Sequence, residues 1–70
     1  MSQHVTLGRI CTRLGVPGAF VEQLVEARII EVDGELVSER TVERIRVSWS
    51  LHDELGVNLA GVEVALHLRL

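Results

Sequence analysis

The 70-residue sequence contains no lysine, only two aromatic residues and a single cysteine, and each shortage argues against a class of function. Phe20 and Trp49 are too few to form the stacking platform that binds single-stranded nucleic acid. Cys11 has no second cysteine for an intramolecular disulfide and no neighbouring histidine for a metal site. We therefore expect a cytoplasmic protein that uses no cofactor or metal.

The sequence also lacks a secretion signal and a long apolar run. The N-terminal residues MSQHVTLGR do not combine a basic start with a continuous apolar stretch, and no apolar run is long enough to cross a bilayer. Apolar residues make up 47% of the chain, which is enough for one modest core. We expect a single domain over residues 1–70, with no membrane partner.

Catalytic patterns are missing as well. His4, His52 and His67 lie far apart in the sequence, and none has a second metal ligand at helical spacing. Ser48 and Ser50 have no general base placed beside them by any motif. The sequence therefore predicts that the protein is not an enzyme.

Residues 6–30 predict two short helices joined by a tight turn. Thr6 is positioned to cap the first helix, and Gly15 ends it because glycine adopts a left-handed conformation without steric cost. Pro17 opens the second helix, since its fixed φ suits a first turn. The expected apolar stripes are Leu7, Ile10, Cys11 and Leu14 on the first helix, and Val21, Leu24 and Val25 on the second. This arrangement is the helix-turn-helix pattern, whose second helix is offered to a partner.

A small β-hairpin is expected after the helix-turn-helix. Residues 29–37, IIEVDGELV, alternate between apolar and polar residues around Asp33 and Gly34, and an Asp-Gly pair in this setting is a strong hairpin signal. We interpret this hairpin as a wing, with positive φ at both residues of the pair. The residues before Thr6 are expected to fray, although Val5 is placed to pack across the start of the first helix.

Two further helices complete the predicted fold, which is mainly α: a winged helix-turn-helix of about four helices with a small β-hairpin wing. Ser38 caps a helix that runs to about Leu55 and ends at Gly56, and Asn58 caps the last helix. The residues expected to face inward are Val42, Ile45, Trp49 and Leu51 or His52, followed by Leu59, Val62, Ala65, Leu66 and Arg69. Val64 and Leu68 lie outside this stripe, which suggests that a second subunit, in a homodimer, or a further helix covers the last helix.

Charge is distributed unevenly along the chain, whose formal net charge is −3. Residues 1–16 carry two arginines and no acid, whereas residues 17–37 carry five acids against Arg28 alone. The acids of this second segment are Glu22, Glu26, Glu31, Asp33 and Glu35. A helix and wing that bind DNA need basic residues to contact phosphate, so this charge argues against DNA binding. Glu22 and Glu26 also repel each other at i,i+4 spacing, and a basic partner surface would relieve that repulsion.

The order of these elements resembles the winged-helix domain of MerR-type regulators, from Leu7 to Leu66. Within that group, ICTRLGVPGAFVEQLVEARIIE and RIRVSWSLHDELGVNLAGVEVAL look like the chaperone-modulator branch, the CbpM/DafA-like family. Residues 51–62, LHDELGVNLAGV, carry the most specific part of the likeness. Heat-shock repressors of the MerR group contain similar runs, and the acidic second helix is what favours the chaperone-modulator branch.

The resemblance implies a protein that binds the J-domain of a CbpA/DnaJ-like co-chaperone and so restrains stimulation of the DnaK ATPase. Because J-domains present a basic helix, an acidic surface is suited to compete for it. The expected partner-binding residues are Phe20, Glu22, Glu26, Glu31, Asp33 and Glu35. Two roles are equally open for Phe20: an apolar anchor that contacts the partner, or a residue of the core. Chains of that family generally continue into further helix, so the resemblance implies either a missing C-terminal helical extension or a short member of the family.

Two other functions stay open at this point. The first is a DNA-binding regulator of the heat-shock-repressor type, in which Arg9, Arg13, Arg28 and the arginines of the third helix contact phosphate. The second is a dimerisation fragment of a larger regulator. Arg40, Glu43, Arg44 and Arg46 alternate in sign along the third helix, which is typical of a solvated face.

Overall fold

The computed structural model describes residues 4–68, which form four helices and two short strands. In chain order these are β1 (His4–Thr6), α1 (Leu7–Leu14), α2 (Gly18–Glu26), β2 (Leu36–Ser38), α3 (Glu39–Leu55) and α4 (Leu59–Leu68). The predicted fold class is confirmed: the described chain is mainly helical, with a small two-stranded antiparallel sheet.

The turn between α1 and α2 follows the sequence signals. Gly15 has φ 68°, and Val16 N–H donates to the Cys11 carbonyl at 3.0 Å, which closes the end of α1. Pro17 was predicted to lie in the first turn of α2 but is the cap residue immediately before that helix, with an extended ψ of 137°. The predicted cap at Thr6 is wrong, because its side chain makes no cap hydrogen bond. Instead Leu7 N–H donates to the Glu35 carbonyl at 2.7 Å, so the wing satisfies the start of α1.

The wing turns at Gly34 as predicted, but the centre of the turn lies one residue later and the strand has a different partner. Asp33 and Leu36 exchange N–H···O bonds of 3.1 and 3.0 Å around Gly34 and Glu35, and only Gly34 has positive φ. These two residues, and not Asp33 with Gly34, are therefore the centre of the turn, as in a type II′ hairpin. Strand β2 then pairs antiparallel with β1, with Val5 opposite Val37. The expectation of fraying before Thr6 is thus wrong for His4 and Val5, since β1 supplies the pairing that the prediction gave to residues 29–32.

Helix α3 begins and ends at the predicted residues, and α4 begins at the predicted cap. The Ser38 hydroxyl accepts from Thr41 N–H at 3.2 Å at the start of α3, and Gly56 ends that helix with φ 67°. The Asn58 side chain accepts from Gly61 N–H at 2.8 Å at the start of α4. Of the residues predicted to face inward on α4, Arg69 lies outside the described residues.

The core joins all four helices and both strands. Leu24 on α2, Ile45 on α3, Val62 on α4 and Val37 on β2 are all essentially inaccessible to solvent. Ser48 is also fully buried, and its hydroxyl donates to the Arg44 carbonyl at 2.6 Å, so its polarity is satisfied within α3. The core holds α2 against α3 and leaves the opposite face of α2 in solvent.

The end of α2 is unusual because an arginine occupies the left-handed position. Ile29 N–H donates to the Leu24 carbonyl at 2.9 Å and Arg28 N–H donates to the Val25 carbonyl at 3.0 Å, which is the Schellman pattern. The left-handed residue of this pattern is normally glycine, as at the ends of α1 and α3, but here it is Arg28 with φ 59°. The chain therefore keeps a long basic side chain at a strained position.

Replacing Arg28 with glycine is expected to stabilise the fold. A non-glycine residue in the left-handed region destabilises the fold by about 1–2 kcal/mol, and glycine removes this penalty. Glycine also has greater freedom in the unfolded chain, which offsets about 0.5–1 kcal/mol of the gain. We expect a net gain of roughly 0.5–1 kcal/mol in the free energy of unfolding, measured by urea titration. Arg13→Gly, in the last turn of α1, is the control and should lose about 1 kcal/mol. Equal losses in the two variants would contradict the strain at Arg28.

Candidate interaction surface

The solvent face of α2 is acidic. Its exposed residues recur at helical spacing and are Gly18, Ala19, Glu22, Gln23 and Glu26. Glu22 and Glu26 lie one turn apart on this face, with no arginine or lysine on the helix to compensate them. The second helix of the helix-turn-helix therefore presents two carboxylates and one amide to solvent.

The other predicted contact residues form a second group in the wing. Glu31, Asp33 and Glu35 are all exposed, and Glu31 and Asp33 line one shallow groove with Leu36. The exposed Arg28 stands in the chain between this group and α2. The predicted acidic surface is thus made of two acidic groups, and an arginine lies between them in the chain.

Phe20 belongs to the core, which is the alternative left open by the sequence. Its side chain is only 5% exposed, and its ring centroid lies 5.0 Å from those of both Trp49 and His52 on α3. Trp49 meets the ring edge-on, whereas His52 stacks on it. The Nδ1 atom of His52 is 2.9 Å from the Val57 carbonyl, which fixes the imidazole at the end of α3. Phe20 therefore packs α2 against α3 and is not displayed as an anchor.

Three arginines from two parts of the chain line one groove of about 320 Å³. Arg28 follows α2, and Arg40 and Arg44 lie one turn apart on α3. Arg44 Nε donates to the Ile29 carbonyl at 3.2 Å, which ties α3 to the segment after α2. In contrast, Arg46 is paired with Glu43 on the outer face of α3. Arg40 and Arg44 were predicted to lie on a solvated face, but they line this groove; their i,i+4 spacing was the signal in the sequence that could have indicated it.

Reactive or metal-binding chemistry is not evident in residues 4–68. No group of three His, Cys, Asp or Glu side chains in this part of the chain could hold a metal ion. Burial raises the pKa of the Cys11 thiol above its ordinary value of 9.0, which disfavours the nucleophilic thiolate at neutral pH. Among the described helices, none is long and apolar enough to cross a membrane.

The last helix exposes apolar side chains, as predicted. Val64 is 59% exposed and Leu68 is 79% exposed, whereas Val62 and Leu66 of the same helix are buried. Val64 and Leu68 lie at i,i+4 spacing and line a shallow apolar depression with Glu63 and His67. This second surface is separate from the face of α2.

Comparison with known proteins identifies a family and no individual relative. The family model described as "MerR HTH family regulatory protein" matches residues 5–69, which include every helix and both strands except His4 of β1. Neither the curated proteins nor the solved structures gave a significant match. The chain therefore belongs to the MerR helix-turn-helix family of regulatory proteins.

Proposed function

We propose that this protein is a non-enzymatic, cytoplasmic modulator of a DnaK/DnaJ-type chaperone system, which binds the J-domain of a CbpA/DnaJ-like co-chaperone. The observation that carries the proposal is the solvent face of α2, where Glu22, Gln23 and Glu26 replace the basic residues that a DNA-reading helix requires. Electrostatic complementarity speeds association and selects partners of opposite charge. The basic helix of a J-domain, to which the sequence resemblance points, has that charge.

Under this proposal, the acidic residues of the wing form a second surface that supports the contact made by the face of α2. Glu31, Asp33 and Glu35 are exposed on the segment that follows α2, and the short sheet β1–β2 holds the end of that segment against the start of α1. These carboxylates are solvated, so their contribution is long-range steering, which salt screens over about 8–10 Å. Phe20 takes no part in the contact, because it is buried.

The direct test is a calorimetric titration of the chain with an isolated J-domain from the same source, at low and at high salt. Glu22→Lys with Glu26→Lys is expected to weaken binding by about tenfold at low salt and to reduce its salt dependence, because the principal charge attraction is reversed. Both residues are exposed, so the fold should be unaffected. Asp53→Lys with Glu63→Lys changes the net charge equally on α3 and α4 and should leave binding within about twofold.

Either of two results would refute this function. Absence of heat with the J-domain at both salt concentrations removes the co-chaperone as partner. Equal weakening by the two double variants shows that only net charge matters and removes the face of α2 as the site.

A second candidate, a DNA-binding transcriptional regulator, is favoured by the family itself, which is a family of regulatory proteins. Arg9 and Arg13 are exposed on α1 and would contact phosphate in that case. A mobility-shift titration with the DNA upstream of the protein's own coding sequence separates the two functions. DNA binding that weakens steeply with salt, together with no J-domain binding, would establish the regulator.

A further inference from the structure

We propose that the groove between Arg28, Arg40 and Arg44 is a carboxylate-binding site for an acidic peptide segment of a partner protein. The three guanidinium groups come from the end of α2 and from the first two turns of α3, and they converge on one concave surface. Glu31 is the single acidic residue among those lining the groove, so its formal charge is +2. The proposal concerns a surface other than the face of α2 and does not depend on J-domain binding.

The groove offers unused hydrogen-bond donors. Within residues 4–68, the side chains of Arg28 and Arg40 make no ion pair or hydrogen bond. Arg44 uses only its Nε, on the Ile29 carbonyl, and this bond orients its remaining N–H groups without consuming them. The Thr41 hydroxyl accepts from Ser38, which leaves its own proton to donate. Planar guanidinium forks match carboxylates bidentately, so this set of donors suits Asp or Glu side chains.

The conformation of Arg28 is independent support for a ligand. The other two helices that end in a left-handed residue use Gly15 and Gly56, whereas α2 ends in an arginine with φ 59°. Strained backbone conformations cluster at functional sites, where a particular side chain is required. Arg28, the residue in the strained conformation, is one of the three arginines that line the groove.

Charge around the groove favours a peptide over nucleic acid. Glu31 lines the groove itself, and Glu26 lies two residues before Arg28 on the exposed side of α2. A duplex presents a continuous row of phosphates, and these carboxylates would repel its neighbouring phosphates. A groove of about 320 Å³ accommodates one or two acidic side chains, which can avoid Glu31 and Glu26 by their spacing along a peptide.

The test follows arginine Nε–Hε and backbone amide signals by NMR while the chain is titrated with acetylated, amidated tetraglutamate. We expect saturable shifts at Arg28, Arg40, Arg44 and the Ile29 amide, and none with tetraglutamine. Arg28→Gln with Arg40→Gln should weaken binding at least tenfold. The matched control, Arg9→Gln with Arg13→Gln on α1, should remain within twofold. Arg44 is left intact because its hydrogen bond to Ile29 is part of the fold.

Parallel titrations with inorganic phosphate and a 20-base-pair duplex identify the source of the anion. If inorganic phosphate and the duplex both bind more weakly than tetraglutamate at equal salt, the result supports the peptide site. Tighter binding of the duplex in the same groove, or of free phosphate, overturns it in favour of a phosphate site. If the two double variants weaken tetraglutamate binding equally, only net charge matters, and this result also overturns the proposed site. Arg28→Gly provides a last check, since it should weaken tetraglutamate binding while the fold is stabilised.

Discussion

Leu24→Ala is expected to lower the free energy of unfolding by about 2–5 kcal/mol, because it removes a completely buried side chain and leaves a cavity. Leu24 lies in the last turn of α2, and its carbonyl accepts from Ile29 N–H in the helix end, so little rearrangement can fill the space. Domains are stable by roughly 0.05–0.15 kcal/mol per residue, which is about 4–10 kcal/mol for a chain of this length. The variant should therefore lose about half of the total stability or unfold outright.

Urea unfolding followed by circular dichroism measures this loss, with Gln23→Ala as the control on the opposite face of the same helix. Gln23 is exposed, so its replacement should change stability by less than about 0.5 kcal/mol. A loss under 1 kcal/mol for Leu24→Ala would mean that α2 is not packed against the core as the structure describes.

Most helix boundaries could be predicted from the sequence because their causes are local. Gly15 and Gly56 end helices through a conformation that glycine adopts readily, and Ser38 and Asn58 start helices through side chains that accept nearby N–H groups. Each of these signals lies within one or two turns of the helix end that it marks. Thr6 carries the same kind of signal, but its side chain makes no cap hydrogen bond, and the bond that anchors the start of α1 comes from a distant group, the Glu35 carbonyl, which accepts from Leu7 N–H.

The strand pairing could not be predicted for the same reason. The turn around Gly34 is local and was found, but the partner of β2 is β1, about 30 residues earlier in the chain. A three-residue strand, His-Val-Thr, has too little alternation to be recognised. Only the closed fold, in which Val5 meets Val37, shows why these residues are extended.

The two surfaces of the protein also differ in how far the sequence reveals them. The acidic face of α2 follows from helical spacing, since residues 22, 23 and 26 must point away from an apolar stripe. The arginine groove depends on the packing of α3 against the segment after α2, which no local pattern encodes. The family match accounts for the fold that creates both surfaces.

Phe20→Ala is expected to destabilise the protein by about 3–5 kcal/mol, the range for removal of a buried aromatic ring. The ring packs between Trp49 and His52, so its loss breaks an edge-to-face pair and a stacked pair along with the contact between α2 and α3. Trp49 reports the change directly, since its fluorescence should shift to the red once water reaches the indole. Phe20→Leu keeps most of the apolar volume and should lose clearly less stability.

The leucine variant also separates the two roles that the sequence allowed for Phe20. A core residue acts on binding only through the fold, so folded Phe20→Leu protein should bind the J-domain within about twofold of the original chain. An anchor residue would lose affinity without a matching loss of stability, because aromatic anchors contribute through contact with the partner. The buried position of the ring predicts the first result, and a selective loss of affinity in the folded variant would require Phe20 to leave the core on binding.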